Sequence, residues 1–287
     1  SPFGRGRRAR RVGGGQSRRS AIPHQRPPIP IRYAAPSSCS GCLPMSSDHR
    51  FLIVETGQPV PSMRRYGGFP HWIRVAAGLS ERDAVVVDVE HGAALPDAND
   101  FAGVIVTGSG AMVTDRADWS ECSAAWLRDA AHAGMPIFGI CYGHQLIAHA
   151  LGGEVGPNPR GREMGTLDID THAAASDDPL FAAAGPRFLA QTTHLQSVLR
   201  LPDGATLLAH SALEPHHAFR WGERVWGVQF HPEFSATHMR GYIRARSGPL
   251  YQEGLDPVAL VAGVRAAPAA RAVLQRFVRF AGALPRD

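Results

Sequence analysis

The sequence predicts a three-layer α/β domain built on a mostly parallel sheet with a partly antiparallel extension. Three observations carry that prediction. Between residues 50 and 150, short apolar runs alternate with helical stretches, the pattern of parallel strands covered on both faces. After residue 152 the strand-like runs alternate more between apolar and polar, as antiparallel or mixed strands do. The runs ending at Thr107 and Ile140 break into glycine-containing turns, the places where an open parallel sheet holds its ligand.

The elements follow in order. Residues 51–55, 84–89, 103–107 and 136–140 read as parallel strands. Between them, 70–78 and 119–134 read as helices, and 142–151 follows as a third. Residues 164–170, 187–189, 206–210, 217–221 and 224–230 read as the antiparallel or mixed strands. The chain closes on helices over 256–264 and 267–280. Pro268 suits the first turn of the last one, where its missing N–H costs nothing. Ala270, Val273, Leu274, Phe277 and Phe280 give that helix an apolar stripe. No internal repeat is present.

Composition narrows the function classes. The chain of 287 residues is long enough to bury a full core, and no run of about 18 apolar residues suggests a membrane span. Its net charge of +5 misleads, because residues 1–47 hold nine of the 30 basic side chains and no acidic one. The remaining 21 basic against 25 acidic side chains leave a body of net charge −4. All the basic side chains are arginine. Residues 1–47, rich in Gly, Pro, Ser and Arg, are expected to be a disordered tail and not native to the protein, with the true start at Met45. Such a tail can attract nucleic acid through charge alone, but nucleic acid is not expected as a partner. Residues 48–287 are expected to form the functional domain. Cys39 and Cys42 form a C-x-x-C pair without a second pair, so no metal site is expected there. Cys122 falls within a helical stretch and reads as a packing residue.

Cys141 is different. In Gly139-Ile140-Cys141-Tyr142-Gly143 a strand runs directly into a helix, with a nucleophile flanked by glycines at −2 and +2. This is the nucleophile-elbow pattern with Cys in place of Ser. A cysteine at a helix N-terminus is favoured as thiolate, its reactive form. The second constellation is Gly227-Val228-Gln229-Phe230-His231-Pro232-Glu233. In extended backbone, positions i and i+2 point the same way, so Glu233 can hold His231 through Nδ1 and leave Nε2 for the nucleophile. Pro232 biases His231 towards that extended form. A triad of Cys141, His231 and Glu233 follows. The loop Thr107-Gly108-Ser109-Gly110-Ala111-Met112 can aim a backbone N–H at the site beside that of Tyr142, giving an oxyanion hole. A phosphate cradle of the Walker type would need a lysine, and the chain has none.

These residues resemble a family. GICYGHQLIAHALGG at 139–153 and GVQFHPEF at 227–234 are similar to the signatures of class I glutamine amidotransferases. Arg162-Glu163-Met164-Gly165 and the segment from Thr193 to Val198 resemble the branch containing the glutaminase domain of GMP synthase. Two positions depart from that branch: Gln196 stands where it has Asp, and Met164 where it has an aromatic residue. The resemblance implies the family's flavodoxin-like three-layer fold and hydrolysis of the glutamine side-chain amide through a Cys141 thioester. It also implies backbone oxyanion donors at Ser109, Gly110 and Tyr142, and substrate contacts at Gly108, Gln145 and His194. About 50 residues follow Glu233, too few for the ATP-dependent synthetase domain that uses the ammonia, so a separate synthetase subunit is an expected partner. The rival reading on the same triad is a γ-glutamyl hydrolase or peptidase, for which a γ-glutamyl amine or peptide replaces glutamine. A third is an inactive module that kept the fold. No cofactor and no metal are expected, and the expected location is the cytoplasm.

Overall fold

The computed structural model describes residues 50–285. The expected tail, 1–47, and the Cys39–Cys42 pair lie outside the described residues. Strands β1 (Phe51–Glu55), β2 (Ala84–Asp88), β3 (Gly103–Val106) and β4 (Ile137–Ile140) pair in parallel. Helices α1 (Phe69–Ala77) and α2 (Asp118–His132) lie between them in sequence, and α3 (Tyr142–Ala150) follows β4. Further on come β5 (Glu154–Pro157), β6 (Glu163–Thr171), β7 (Arg187–His194), β8 (Gln196–Arg200), β9 (Ala205–His210), β10 (Ala218–Trp221) and β11 (Val225–Val228). The chain ends in α4 (Ala236–Ala245), α5 (Ser247–Gln252), α6 (Pro257–Gly263) and α7 (Pro268–Gly282).

Nine strands form one sheet in the order β2-β1-β3-β4-β11-β10-β9-β6-β7, and β5 pairs with β8 in a separate ribbon. β11 is the pivot, parallel to β4 on one side and antiparallel to β10 on the other. Successive side chains of a strand face opposite sides, so the five-residue run of β1 feeds two cores. Phe51 and Ile53 join Ile105, Phe138, Ile140, Trp226 and the α7 stripe, whereas Leu52 and Val54 join Val104, Val106, Leu127, Leu146 and Ile147. Helices on each face complete the three layers. The stripe on α7 packs as expected, with Ala270, Val273, Leu274 and Phe277 buried and Phe280 only partly so.

No single helix among the described residues is long and apolar enough to cross a membrane. The α6–α7 pair passes that test only when joined across a 66° bend, and the apolar stripe of α7 is occupied by the core.

The register between β4 and β11 builds the site. Gly139 lies opposite Gly227 and Ile140 opposite Val228, and the Cys141 N–H continues the ladder to the Val228 carbonyl at 2.8 Å. Two motifs distant in sequence therefore leave the sheet at the same carboxyl edge, where parallel sheets hold ligands.

Close approach explains the glycines around Cys141. A Cβ on Gly143 would stand 2.6 Å from the Val106 carbonyl oxygen, and one on Gly139 would stand 2.5 Å from both the Gly143 backbone and Ile147. Gly143→Ala should destabilise the protein by about 1–3 kcal/mol, as overpacking does. Denaturant unfolding of variant against parent reads this directly, and equal stability would mean that α3 can lift off β3 without cost.

Candidate active site

Cys141 joins β4 to α3 with φ 52° and ψ −100°, a left-handed conformation that a non-glycine residue adopts only where its surroundings enforce it. The ladder bond from its N–H and the contact of α3 with β3 are that enforcement. The bend lifts the side chain off the sheet edge, where the Sγ lies 3.8 Å from the Thr193 carbonyl oxygen. Being the N-cap of α3, Cys141 also sits at the positive end of the helix dipole.

His231 emerges just past β11. Its Nδ1 lies 2.8 Å from Glu233 Oε1, and its backbone N–H donates to the Gln191 carbonyl at 2.8 Å. The Phe234 ring packs against the imidazole at a centroid distance of 4.2 Å and an interplanar angle of 30°, limiting its rotation. Nε2 has no hydrogen-bond partner among the described residues, so it remains for the thiol or a substrate. Burial works against a charged imidazolium here, but the Glu233 carboxylate and the Cys141 thiolate outweigh it and push the His231 pKa up to about 10.

The loop after β3 faces Cys141 and His231. A Cβ on Gly108 would lie 3.2 Å from His231 Cε1, close enough to press on the imidazole, and 3.7 Å from Cys141 Cβ, an ordinary contact. The Gly108 carbonyl accepts from the hydroxyls of Thr56 at 3.2 Å and Thr107 at 2.9 Å. In a trans peptide the N–H points opposite to the carbonyl, so these bonds turn the Ser109 N–H away from the threonines. The N–H groups of Ser109, Gly110 and Tyr142 donate to no group among the described residues.

Two cavities meet at Cys141, sharing Ser109, Gly110, Thr193 and Arg246 in their walls. One continues past Gln145, His194 and Gln196. The other, of about 210 Å³, opens on the His231 side between Pro59, Val60, Phe69 and Tyr242. Gln145 lines the first, although its amide nitrogen is committed to the Gln196 carbonyl at 2.8 Å and to Gln229 Oε1 at 2.9 Å. His194 lines it too, anchored behind the wall. Its Nδ1 lies 3.0 Å from the Gln196 carbonyl, and its Nε2 lies 3.0 Å from Glu163 Oε2. The same oxygen lies 2.8 Å from His217 Nε2, and the Ser211 hydroxyl donates to Glu163 Oε1. Burial raises the Glu163 pKa, but bonds from the two imidazoles win and hold the carboxyl well below the usual carboxylate range. The ligand atoms of Glu163, His194 and His217 lie within 4.8 Å of one another, close enough to hold a metal ion, yet they already satisfy one another by hydrogen bonds.

All nine expected site residues therefore line one edge of the sheet: Cys141, His231, Glu233, Gly108, Ser109, Gly110, Tyr142, Gln145 and His194. Sequence reasoning missed Arg246, which lines both cavities. It also missed the buried partners of His194. A signal for Arg246 existed, because Ser235 and His238 form a reciprocal capping box for α4, the helix that delivers it. Histidine replaces the usual Glu or Gln at the third position of that box, and so the helix went unread.

Comparison with known proteins agrees with this fold. The model of the class-I glutamine amidotransferase family matches residues 66–247, and the chain belongs to that family. One glutamine-hydrolysing GMP synthase subunit, from Halobacterium salinarum, is 32% identical over 160 residues, 55% of this chain and 81% of that protein. The GMP synthase of Aeropyrum pernix is 39% identical over 147 residues, 51% of this chain but only 26% of that longer protein. A γ-glutamyl-L-1-hydroxyisopropylamide hydrolase from a Pseudomonas species is 28% identical over 164 residues, 54% of either chain. Among solved structures, a glutamine amidotransferase from Thermotoga maritima aligns with a TM-score of 0.66 at 20% identity, over 82% of this chain and 99% of that one.

Proposed function

We propose that this enzyme hydrolyses the side-chain amide of glutamine, with Cys141 as nucleophile, His231 as proton shuttle and Glu233 as its orienting carboxylate. The observation that carries the reading is the buried Nδ1–Oε1 bond of 2.8 Å, which leaves Nε2 without a partner among the described residues, beside a cysteine in strained elbow geometry. The Cys141 thiolate attacks the γ-carbonyl carbon, and the oxyanion that develops is held by backbone N–H groups of the Gly108–Gly110 loop and Tyr142. Imidazolium Nε2 gives its proton to the departing nitrogen, so ammonia leaves and a thioester remains. Water, deprotonated by the now neutral His231, attacks the thioester, and glutamate leaves as the thiolate returns. Kinship with a protein named as one subunit of a GMP synthase supports an ammonia acceptor on a separate synthetase subunit.

A second reading has its own support. The cavity of about 210 Å³ on the His231 side is where a leaving group departs, and its Pro59, Val60, Pro61 and Phe69 wall suits an apolar amine larger than ammonia. Kinship with the Pseudomonas γ-glutamylamide hydrolase points the same way. Release of ammonia and glutamate from glutamine, and of free amine from γ-glutamyl amides and dipeptides, separates the two. Cys141→Ala should abolish whichever activity the parent shows. Activity surviving in that variant would overturn both readings.

A further inference from the structure

Every substrate under the proposed function carries an α-carboxylate and an α-ammonium two methylenes from the attacked γ-carbonyl carbon. Those charges must lose water on entering a half-closed cavity, so each needs a partner in the wall. Two arginines line the cavity that holds Gln145 and His194, and they differ in their commitments. Arg162 is almost fully buried and pairs bidentately with Glu253, with Nε 2.6 Å from Oε2 and Nη2 2.9 Å from Oε1. Arg246, at the junction of α4 and α5, forms no ion pair among the described residues, and its buried Nε has no hydrogen-bond partner. Glu253, a carboxylate that feels the Arg246 charge, is already occupied by Arg162. Arg246 is also the single cation shared by both cavities that meet at Cys141.

The opposite polarity is present in the same wall. Gln196 is buried, and its Oε1 accepts no hydrogen bond among the described residues. A neutral acceptor suffices for an ammonium group, whereas a guanidinium offers a carboxylate a forked, charge-assisted pair.

Resting on the hydrolytic reading, we propose that Arg246 is a specificity-determining residue, binding the α-carboxylate of the glutamyl substrate while Gln196 Oε1 accepts from the α-ammonium. The enzyme then selects free γ-glutamyl amino acids over otherwise identical amides that lack the carboxylate. Arg246 touches no reacting atom, so its loss should appear in binding and leave the chemical step nearly intact.

The test pairs ligands that differ by that one group. L-Glutamate and 4-aminobutanoate are titrated calorimetrically into parent, Arg246→Met and Arg246→Lys proteins, and KM and kcat are measured with glutamine and with 4-aminobutanamide. Arg246→Met should weaken L-glutamate and raise KM for glutamine roughly tenfold or more, the loss expected for one charge-assisted pair. Binding of 4-aminobutanoate and kcat for glutamine should change by less than about threefold on the same scale, and Arg246→Lys should recover part of the loss. Unchanged glutamate affinity in Arg246→Met, or an equal loss for both ligands, overturns the proposal. So does a parent protein that binds no glutamate. Glutamate bound by the parent without ammonia release from glutamine would overturn glutamine hydrolysis as the function, while the calorimetry still decides the role of Arg246.

Discussion

Replacing His231 with Asn should lower kcat for glutamine hydrolysis by at least about 10³-fold, with the protein still folded. Asparagine can hold the Glu233 bond, but it can neither keep a thiolate beside a cation nor return a proton to the leaving nitrogen. The loss should fall on kcat more than on KM, because the substrate's distant charges are held elsewhere in the cavity. Stability gives a second readout with a definite sign. The His231 pKa is raised from 6.5 to about 10, so protonation favours the folded state. That contribution is complete below about pH 6.5 and is lost as pH rises towards 10. The stability margin of parent over His231→Asn should therefore shrink across that window in denaturant titrations. A variant that keeps more than a tenth of the parent kcat would sink the proposed shuttle.

Glu163→Ala should be the most destabilising single change outside the hydrophobic core, costing about 3–5 kcal/mol. One carboxylate, 1% exposed, serves His194, His217 and the Ser211 hydroxyl at once. Removing it leaves three buried polar groups without their partner, and the penalty for orphaned groups exceeds the worth of any one bond. His194 also borders the cavity beside Cys141, so the change should lower glutaminase activity in whatever fraction remains folded. Denaturant unfolding of parent against variant measures the effect. A loss below about 1 kcal/mol would mean that water replaces the carboxylate and that the network is not structural.

Much of the fold was legible in the sequence because its signals are local. Apolar runs marked the strands of the parallel half to within a residue or two, and periodic stripes marked α1, α2, α3 and α7. The elements that went unread have weak local signals. β5 and β8 are a short two-stranded ribbon whose first strand contains Gly156 and Pro157, residues that discourage a strand reading. β7 extends through Gln191, Thr192 and Thr193, polar residues that read as loop until β6 pairs with them along its whole length. Helix α4 hides its start behind a histidine where a capping Glu or Gln is usual.

The sequence by itself determined the residues available for chemistry and their local geometry. The glycines at 139 and 143 prescribe a tight strand-to-helix turn, and the i,i+2 spacing of His231 and Glu233 sets one side chain beside the other, because both are properties of a few consecutive residues. Only the tertiary structure decided what surrounds them. The parallel register of β4 with β11 brings the two motifs to one edge, and the threonines at 56 and 107 turn the Gly108 peptide. Folding also joins Glu163 to His194 and His217 from separate segments, and leaves Arg246 without an ion pair among the described residues where two cavities meet. The division has one physical cause. Side-chain direction is set within a few residues, whereas the backbone strain held at Cys141, charge neutralisation and cavity shape are set by which distant segments the sheet brings together.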